Sequence, residues 1–218
     1  MTDISKKYKS MVRRSFATKL DVFLFCEVIK SGTLKEDLNL YRRAFNCFSL
    51  KDVEILSAYE AAWSKKGSDV AYLSASIGGG MTYKQLDDLV IDWKKRHKDS
   101  FLKVLRADYE ASFVFDPDGQ MMFRDFYKEH ASERVCSYCE ISDAQISELR
   151  KDGKIKTKRG RGHNMEIDRK NSNREYHFYN VRLACYWCNN AKTDEFDEVE
   201  FEEVGMAIKG IWKNRRTA

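Results

Sequence analysis

Proline is nearly absent from this sequence, and long apolar runs are missing from it altogether. The 218 residues contain a single proline, Pro117, within an Asp-Pro-Asp-Gly turn signal. We expect neither a membrane span nor a signal-peptide core, because no apolar run is long enough and the first residues are polar and charged. The glycine triplet at 78–80 is followed by no Gly-Lys-Ser/Thr, which favours a hinge over a phosphate-binding loop. Together with the lack of internal repeats, these absences exclude membrane and repeat proteins.

The spacing of the cysteines is informative. Of the six cysteines, four form two Cys-x-x-Cys pairs, Cys136 with Cys139 and Cys185 with Cys188. Two such pairs predict a tetrahedral site of four thiolates for Zn²⁺, and the alternatives are two disulfides or four buried core thiols. Cys26 and Cys47 are then expected to be buried free thiols. This usage fits a reducing compartment and predicts a cytoplasmic protein.

The composition favours a folded chain of one or two domains. Hydrophobic residues make up 43% and aromatic residues 13% of the sequence, which argues against global disorder. The net charge of +5 is only mildly basic, so it permits a nucleic-acid partner without requiring one.

Residues 1–130 are predicted to be helical, because hydroxyl residues recur three positions before an acid or an amide. Such pairs predict capping boxes at helix starts. They are Thr18 with Asp21, Thr33 with Glu36, Ser49 with Asp52, and Thr82 with Gln85. A short hairpin is expected around Pro117. Near the C-terminus, an apolar stripe predicts a packed last helix, and its members are Val204, Ile208, Ile211 and Trp212.

The region between the two cysteine pairs has a different pattern. Residues 165–169 predict a short strand with Glu166 and Asp168 on one face. Residues 179–185 predict a second strand, and a helix is expected to begin near Cys188. The predicted order is therefore strand, loop, strand and helix, with the zinc knuckles at the base and the helix beginning at the second one.

With its polar residues, this region resembles the ββα-metal fold of the HNH endonucleases. The resemblance covers the C-terminal third and assigns Asp168 and Asn189 as metal ligands, Asn180 as the central asparagine, and Lys192 as the helix lysine. One position departs from the family, since Arg169 stands where the general-base histidine is expected. The expected fold class is α+β and mainly helical. A helical region that selects substrate or partner (1–130) would precede a zinc-stapled ββα-metal nuclease domain (131–218).

The resemblance implies a divided use of metals. A closed site of four cysteines is structural, whereas Asp168 and Asn189 would hold a catalytic Mg²⁺ or Mn²⁺. Arg169 stays protonated and can only clamp phosphate. The base is therefore expected to be His177 or the adjacent Tyr176, with His163 and Glu166 as weaker candidates. Asn180 is expected to orient the loop through backbone hydrogen bonds.

A basic, glycine-punctuated loop precedes the Asp168 strand and predicts contacts with backbone phosphates. The predicted nucleic-acid contacts are Lys154, Lys156, Lys158, Arg159 and Arg161, together with Lys192. The resulting hypothesis is a metal-dependent HNH-type endonuclease, with DNA favoured over RNA. The resemblance leaves restriction, phage-encoded and antiphage enzymes equally open, as well as a homodimer or a regulatory protein partner. The alternative is a catalytically inactive zinc module that binds nucleic acid.

Overall fold

The computed structural model describes residues 3–65, 67, 68, 80–116, 119, 121–129, 134–156 and 161–217. The chain divides into two units, Met1–Phe113 with Asn173–Glu175, and Val114–Ser172 with Tyr176–Ala218. The helices of the first unit are α1 (Asp3–Ser31), α2 (Leu38–Cys47), α3 (Val53–Trp63), α4 (Tyr83–His97) and α5 (Phe101–Ser112). The second unit contains α6 (Phe123–Glu129), α7 (Asp143–Lys151), β1 (Glu166–Arg169), β2 (Val181–Ala184), α8 (Tyr186–Lys192) and α9 (Glu200–Thr217).

An aromatic core holds the first unit together. Helix α1 packs against α3, α4 and α5. Its Phe23 meets Tyr41 and Phe45 edge to face, at ring-centroid distances of 5.6 and 5.5 Å. Trp93 of α4 is completely buried beside them. Edge-to-face packing of this kind adds stability beyond the buried area alone.

Only some of the helices begin where the sequence predicts a capping box. The capping box of Thr82 and Gln85 opens α4 as predicted. Helix α3 instead begins after Asp52, whose carboxylate accepts from two backbone amides. Thr18 lies inside α1, where buried apolar neighbours on both sides continue the helix, and Thr33 precedes the true N-cap of α2, Asp37. The predicted helix starts at Thr18, Thr33 and Ser49 are therefore wrong.

In the second unit, β1 and β2 form an antiparallel pair that leads directly into α8. Asp168 lies opposite Arg182, and Arg169 lies opposite Val181. Helix α9 packs on α8, with the rings of Trp187 and Trp212 4.9 Å apart. A Cβ atom at position 205 would lie 2.8 Å from the Cβ of Tyr138, so α9 requires glycine there.

The structure corrects several smaller expectations. Residues 113–115 are not a strand, and Phe123 begins α6. Cys26 is buried as expected and burial raises the pKa of its thiol to about 11, but Cys47 is exposed. The hinge predicted at 78 and 79 and the turn at Pro117 lie outside the described residues.

The architecture is mainly helical α+β, as predicted. The two units divide after residue 113. The division predicted from sequence falls between residues 130 and 131, which lie outside the described residues. The roles assigned to the two regions stay predictions. Among the described residues, every helix is too short or too polar to cross a membrane.

Candidate active site

The first cysteine pair lies on a tight turn. An isolated bridge between Val135 and Ser142 closes this turn, and the amide of Cys136 donates to the carbonyl of Ile141 at 2.9 Å. Glu140 adopts a positive φ of 58°, which lets the chain reverse directly after Cys139. Backbone geometry alone thus brings both sulfurs of this pair to one side of the turn.

The second cysteine pair begins a helix. Cys185 is the N-cap of α8, and its sulfur accepts from the amide of Cys188 at 3.5 Å. The two pairs are joined by the backbone, because the amide of Ser137 donates to the carbonyl of Leu183 in β2 at 2.9 Å. The sheet therefore sets the distance between the two pairs.

The four sulfurs form one buried cluster. All lie within 4.8 Å of one another, and those of Cys139 and Cys185 are 3.6 Å apart. A Zn–S bond of about 2.3 Å gives a tetrahedron with edges of about 3.8 Å, so the donor set fits Zn²⁺. All four cysteines are free, so the disulfide alternative is wrong.

Asp168 is buried near the end of β1. Its Oδ2 accepts from the hydroxyl of Tyr138 at 2.6 Å, and the Nζ of Lys192 lies 3.5 Å away. Burial raises the pKa of Asp168, while Tyr138 and Lys192 oppose that shift. Tyr138 lies between Cys136 and Cys139, so its hydrogen bond joins the four-cysteine cluster to β1.

Lys192 is completely buried, and this corrects the nucleic-acid contact predicted for it. Its ammonium donates to the backbone carbonyl of Arg169 at 2.9 Å and faces Asp168. A lysine with no exposed surface cannot reach a phosphate in solvent. Its role in this structure is to join α8 to β1.

Sequence reasoning named Glu166 as a weak candidate for the base but missed its contact with Asn189. Asp168 and Asn189 were predicted to hold one metal ion together, and in the structure the Nδ2 of Asn189 donates to Oε2 of Glu166 at 2.6 Å. The guanidinium of Arg161 also donates to this carboxylate, with N···O distances of 2.8 to 3.2 Å. The period-2 alternation of β1 predicts that Glu166 and Asp168 share one face, but it does not contain the contact with α8.

Arg169 and the residues near it are largely buried. Its guanidinium lies over the ring of Tyr176, 4.9 Å from the centroid, and 3.5 Å from the carboxylate of Asp194. His177 is buried against Tyr179, with ring centroids 4.4 Å apart. The structure thus places Tyr176 in contact with Arg169. His163, a weaker candidate for the base, is half-buried.

Asn180 clamps the loop that follows β1. Its side-chain oxygen accepts from the amide of Asn171, and its side-chain nitrogen donates to the carbonyl of the same residue, both at 3.0 Å. Its backbone carbonyl also accepts from the amide of Lys170 at 2.8 Å. These are the backbone contacts expected from sequence.

The basic loop is described only in part. Lys156 is exposed and Lys154 is half-buried, whereas Lys158 and Arg159 lie outside the described residues. Arg161 is half exposed. Its guanidinium pairs with the carboxylate of Glu166 and lies 4.8 Å from the ring centroid of Tyr186.

Two antiparallel strands, a helix and a buried four-cysteine cluster whose donor set fits zinc form a ββα module, and the predicted resemblance to HNH endonucleases is present in the fold. The chain is similar to a solved structure described as the rare-cutting HNH restriction endonuclease PacI, with 26% identity and a TM-score of 0.39 over 57% of this chain and 79% of that one. Comparison with protein-family models and with curated proteins gave no match. The roles of individual residues must therefore come from the geometry of the site.

Proposed function

We propose that this protein is a metal-dependent HNH-type endonuclease that hydrolyses phosphodiester bonds. One observation carries the proposal: the acids of β1, the amide of Asn189 at the start of α8, and the guanidinium of Arg169 lie in one ββα module. Phosphodiester hydrolysis needs charge neutralisation at phosphate and an activated water. Carboxylate and amide oxygens suit a hard divalent ion, and a planar guanidinium suits phosphate.

Each residue would have a distinct task. Mg²⁺ or Mn²⁺, held by Asp168 and Asn189, would supply Lewis acidity at the phosphate. Arg169, held over Tyr176, would clamp the phosphate oxygens. His177 or Tyr176 would accept the proton of the attacking water, and Asn180 would keep their loop in place. Comparing His177→Ala with Tyr176→Phe identifies the base, because only removal of the true base should lower the rate severely.

The test is cleavage of supercoiled plasmid with Mg²⁺ or Mn²⁺. The zinc-loaded wild type should nick DNA, and Asp168→Ala should abolish nicking. Because Lys192 loses its buried counter-ion in that variant, the assay is run at a temperature where melting shows the variant folded, and binding should then be nearly unchanged. Asp99→Ala, which removes an acid that is 84% exposed, is the control and should cleave like the wild type. A wild type that stays inactive with both ions, or an Asp168→Ala variant with full activity, would contradict the proposal.

The second candidate function is an inactive zinc module that binds nucleic acid. The observation in its favour is Arg169, because a guanidinium cannot act as a base. If Tyr176 or His177 supplies the base, Arg169→His loses the clamp and activity falls. If the module has lost its catalysis, the wild type is inactive and Arg169→His restores nicking.

Two finer parts of the proposal come from the sequence. The motif resemblance favours DNA over RNA as substrate, and the use of cysteine favours a cytoplasmic location. Running the same assay on RNA of matched length tests the first of these, because a DNA nuclease should leave that RNA intact.

A further inference from the structure

The carboxylate of Glu166 lies between an amide and a guanidinium. Asn189 donates to it at 2.6 Å, and Arg161 donates to both of its oxygens through Nε and Nη2. The Glu166 side chain is only 18% exposed. The guanidinium of Arg161 also lies over the ring of Tyr186, which fixes its position. Glu166 is therefore a well-positioned carboxylate beside a residue assigned to the cation.

With Glu166, a divalent ion would have more oxygen donors than Asp168 and Asn189 alone provide. Glu166 is two residues from Asp168 on one strand face, and Asn189 touches it directly. Asp168 already has Tyr138 and Lys192 as partners. A hard cation such as Mn²⁺ gains affinity from each additional carboxylate oxygen. The residues present thus fit the ion, and Glu166 is the acid in contact with Asn189.

We propose that Glu166 is a further oxygen donor of the divalent-cation site, and that Arg161 competes with the cation for it. This inference rests on the proposed function, because it concerns the same ion. In the free protein Arg161 occupies the carboxylate. A guanidinium pairs equally well with the two oxygens of a phosphate, so a nucleic-acid backbone can take Arg161 away from Glu166.

This exchange couples two binding events. Phosphate binding to Arg161 releases Glu166 for the cation, and cation binding to Glu166 releases Arg161 for phosphate. By linkage, each ligand must raise the affinity of the other by the same factor. The ion pair of Arg161 and Glu166 therefore favours the complex with both cation and nucleic acid over the complex with either one alone.

The test is calorimetric titration of the zinc-loaded full chain with Mn²⁺ in the absence of nucleic acid. Glu166→Gln should weaken Mn²⁺ binding at least about tenfold, the lower range for disturbing groups around a metal. Arg161→Ala should strengthen it about fivefold, since a competing surface ion pair is lost. Lys156→Ala removes the same charge from the same loop, and Glu202→Gln removes an exposed acid of α9. These two variants are the matched controls.

The outcomes separate this inference from the proposed function. If Glu166→Gln binds Mn²⁺ like Glu202→Gln, or Arg161→Ala like Lys156→Ala, the inference is wrong. If Asp168→Ala alone loses Mn²⁺ and cleavage, the inference fails while the proposed function stands. A wild type that neither binds Mn²⁺ nor cleaves overturns both. Melting temperatures verify that each variant is folded, and Glu166→Asp, which keeps the carboxylate, should retain part of the affinity if Glu166→Gln unfolds.

Discussion

Lys192 shows how a buried charge can be part of the framework of a site. Its ammonium has no exposed surface, and it joins Asp168 to the carbonyl of Arg169. Burying such a charge is costly unless every partner is present. Asp168 and Lys192 therefore depend on each other, and on the hydroxyl of Tyr138.

Replacing Lys192 should therefore destabilise the second unit severely. Lys192→Met should lower its free energy of unfolding by about 3–5 kcal/mol, because Asp168 would keep a buried charge without its counter-ion. Chemical denaturation of the zinc-loaded protein measures the loss, with Lys213→Met on exposed α9 as the control. Adding Asp168→Asn to Lys192→Met should recover part of the stability. Equal losses in Lys192→Met and Lys213→Met would contradict the buried pair.

Sequence reasoning identified residues better than it identified their partners. The four cysteines were recognisable from two short Cys-x-x-Cys spacings, and the backbone contacts of Asn180 were expected from its place before the second strand. The contact between Glu166 and Asn189 spans 23 residues and depends on how α8 lies against β1. Local patterns do not contain that information.

At the scale of helices and strands, capping patterns in the sequence predicted helix starts correctly where no tertiary contact competed with them. The Thr82 capping box begins a helix on the surface, while Thr18 is overridden by the buried stripe of α1. In α9 the predicted stripe is rotated. Trp212 is buried, but Val204 and Ile211 are exposed. The close approach of Gly205 to Tyr138 sets that rotation, and the hydrophobic pattern cannot reveal it.

The four-cysteine cluster should hold the ββα module together. Removing zinc with a chelator, or making Cys185→Ser, should abolish the unfolding transition of the second unit, because metal binding supplies about 10–16 kcal/mol in small zinc domains. Calorimetry with elemental analysis measures both effects. Cys47→Ser removes an exposed free cysteine and should keep the zinc and the transition. Unchanged melting of Cys185→Ser would refute a structural zinc.

At the scale of the whole molecule, the chain returns to its first unit after β1. Residues Asn173–Glu175 pack with the helical unit, although the residues on either side belong to the second. Burial raises the pKa of Glu175, and Lys19 and Tyr109 only partly oppose this. Burial likewise lowers the pKa of Lys19. An ionised acid at this position therefore costs stability.

The sign of the pH dependence follows from that raised pKa. Because the folded state favours protonated Glu175, its stabilising contribution is complete below the usual glutamate pKa and is lost as pH rises through the raised value. The melting temperature of the wild type should thus fall relative to Glu175→Gln as the pH increases from about 4 towards neutral. Glu110→Gln, at an exposed position of α5, should follow the wild type. Parallel curves for the wild type and Glu175→Gln would contradict the shift.

Nucleic-acid affinity should depend on the charge of one loop rather than on the charge of the whole chain. The net charge of +5 is small for 218 residues, so a local concentration of basic side chains must supply the phosphate contacts. The variant that tests this replaces four loop residues by Gln: Lys154, Lys156, Lys158 and Arg159. Its control replaces four basic residues of the helical unit by Gln: Lys6, Lys9, Arg13 and Lys103.

Both variants lose the same charge, so only the position of the lost charge differs between them. Each phosphate contact contributes about 0.9 to the slope of log affinity against log salt for duplex DNA. The loop variant should therefore show weaker binding and a smaller slope, whereas the control should keep the slope of the wild type. Fluorescence anisotropy with a labelled duplex at several salt concentrations, without divalent ions, measures both quantities. If the slope falls only in the control, the phosphate contacts lie on the helical unit. If it falls equally in both, the attraction comes from overall charge, and the loop has no special role.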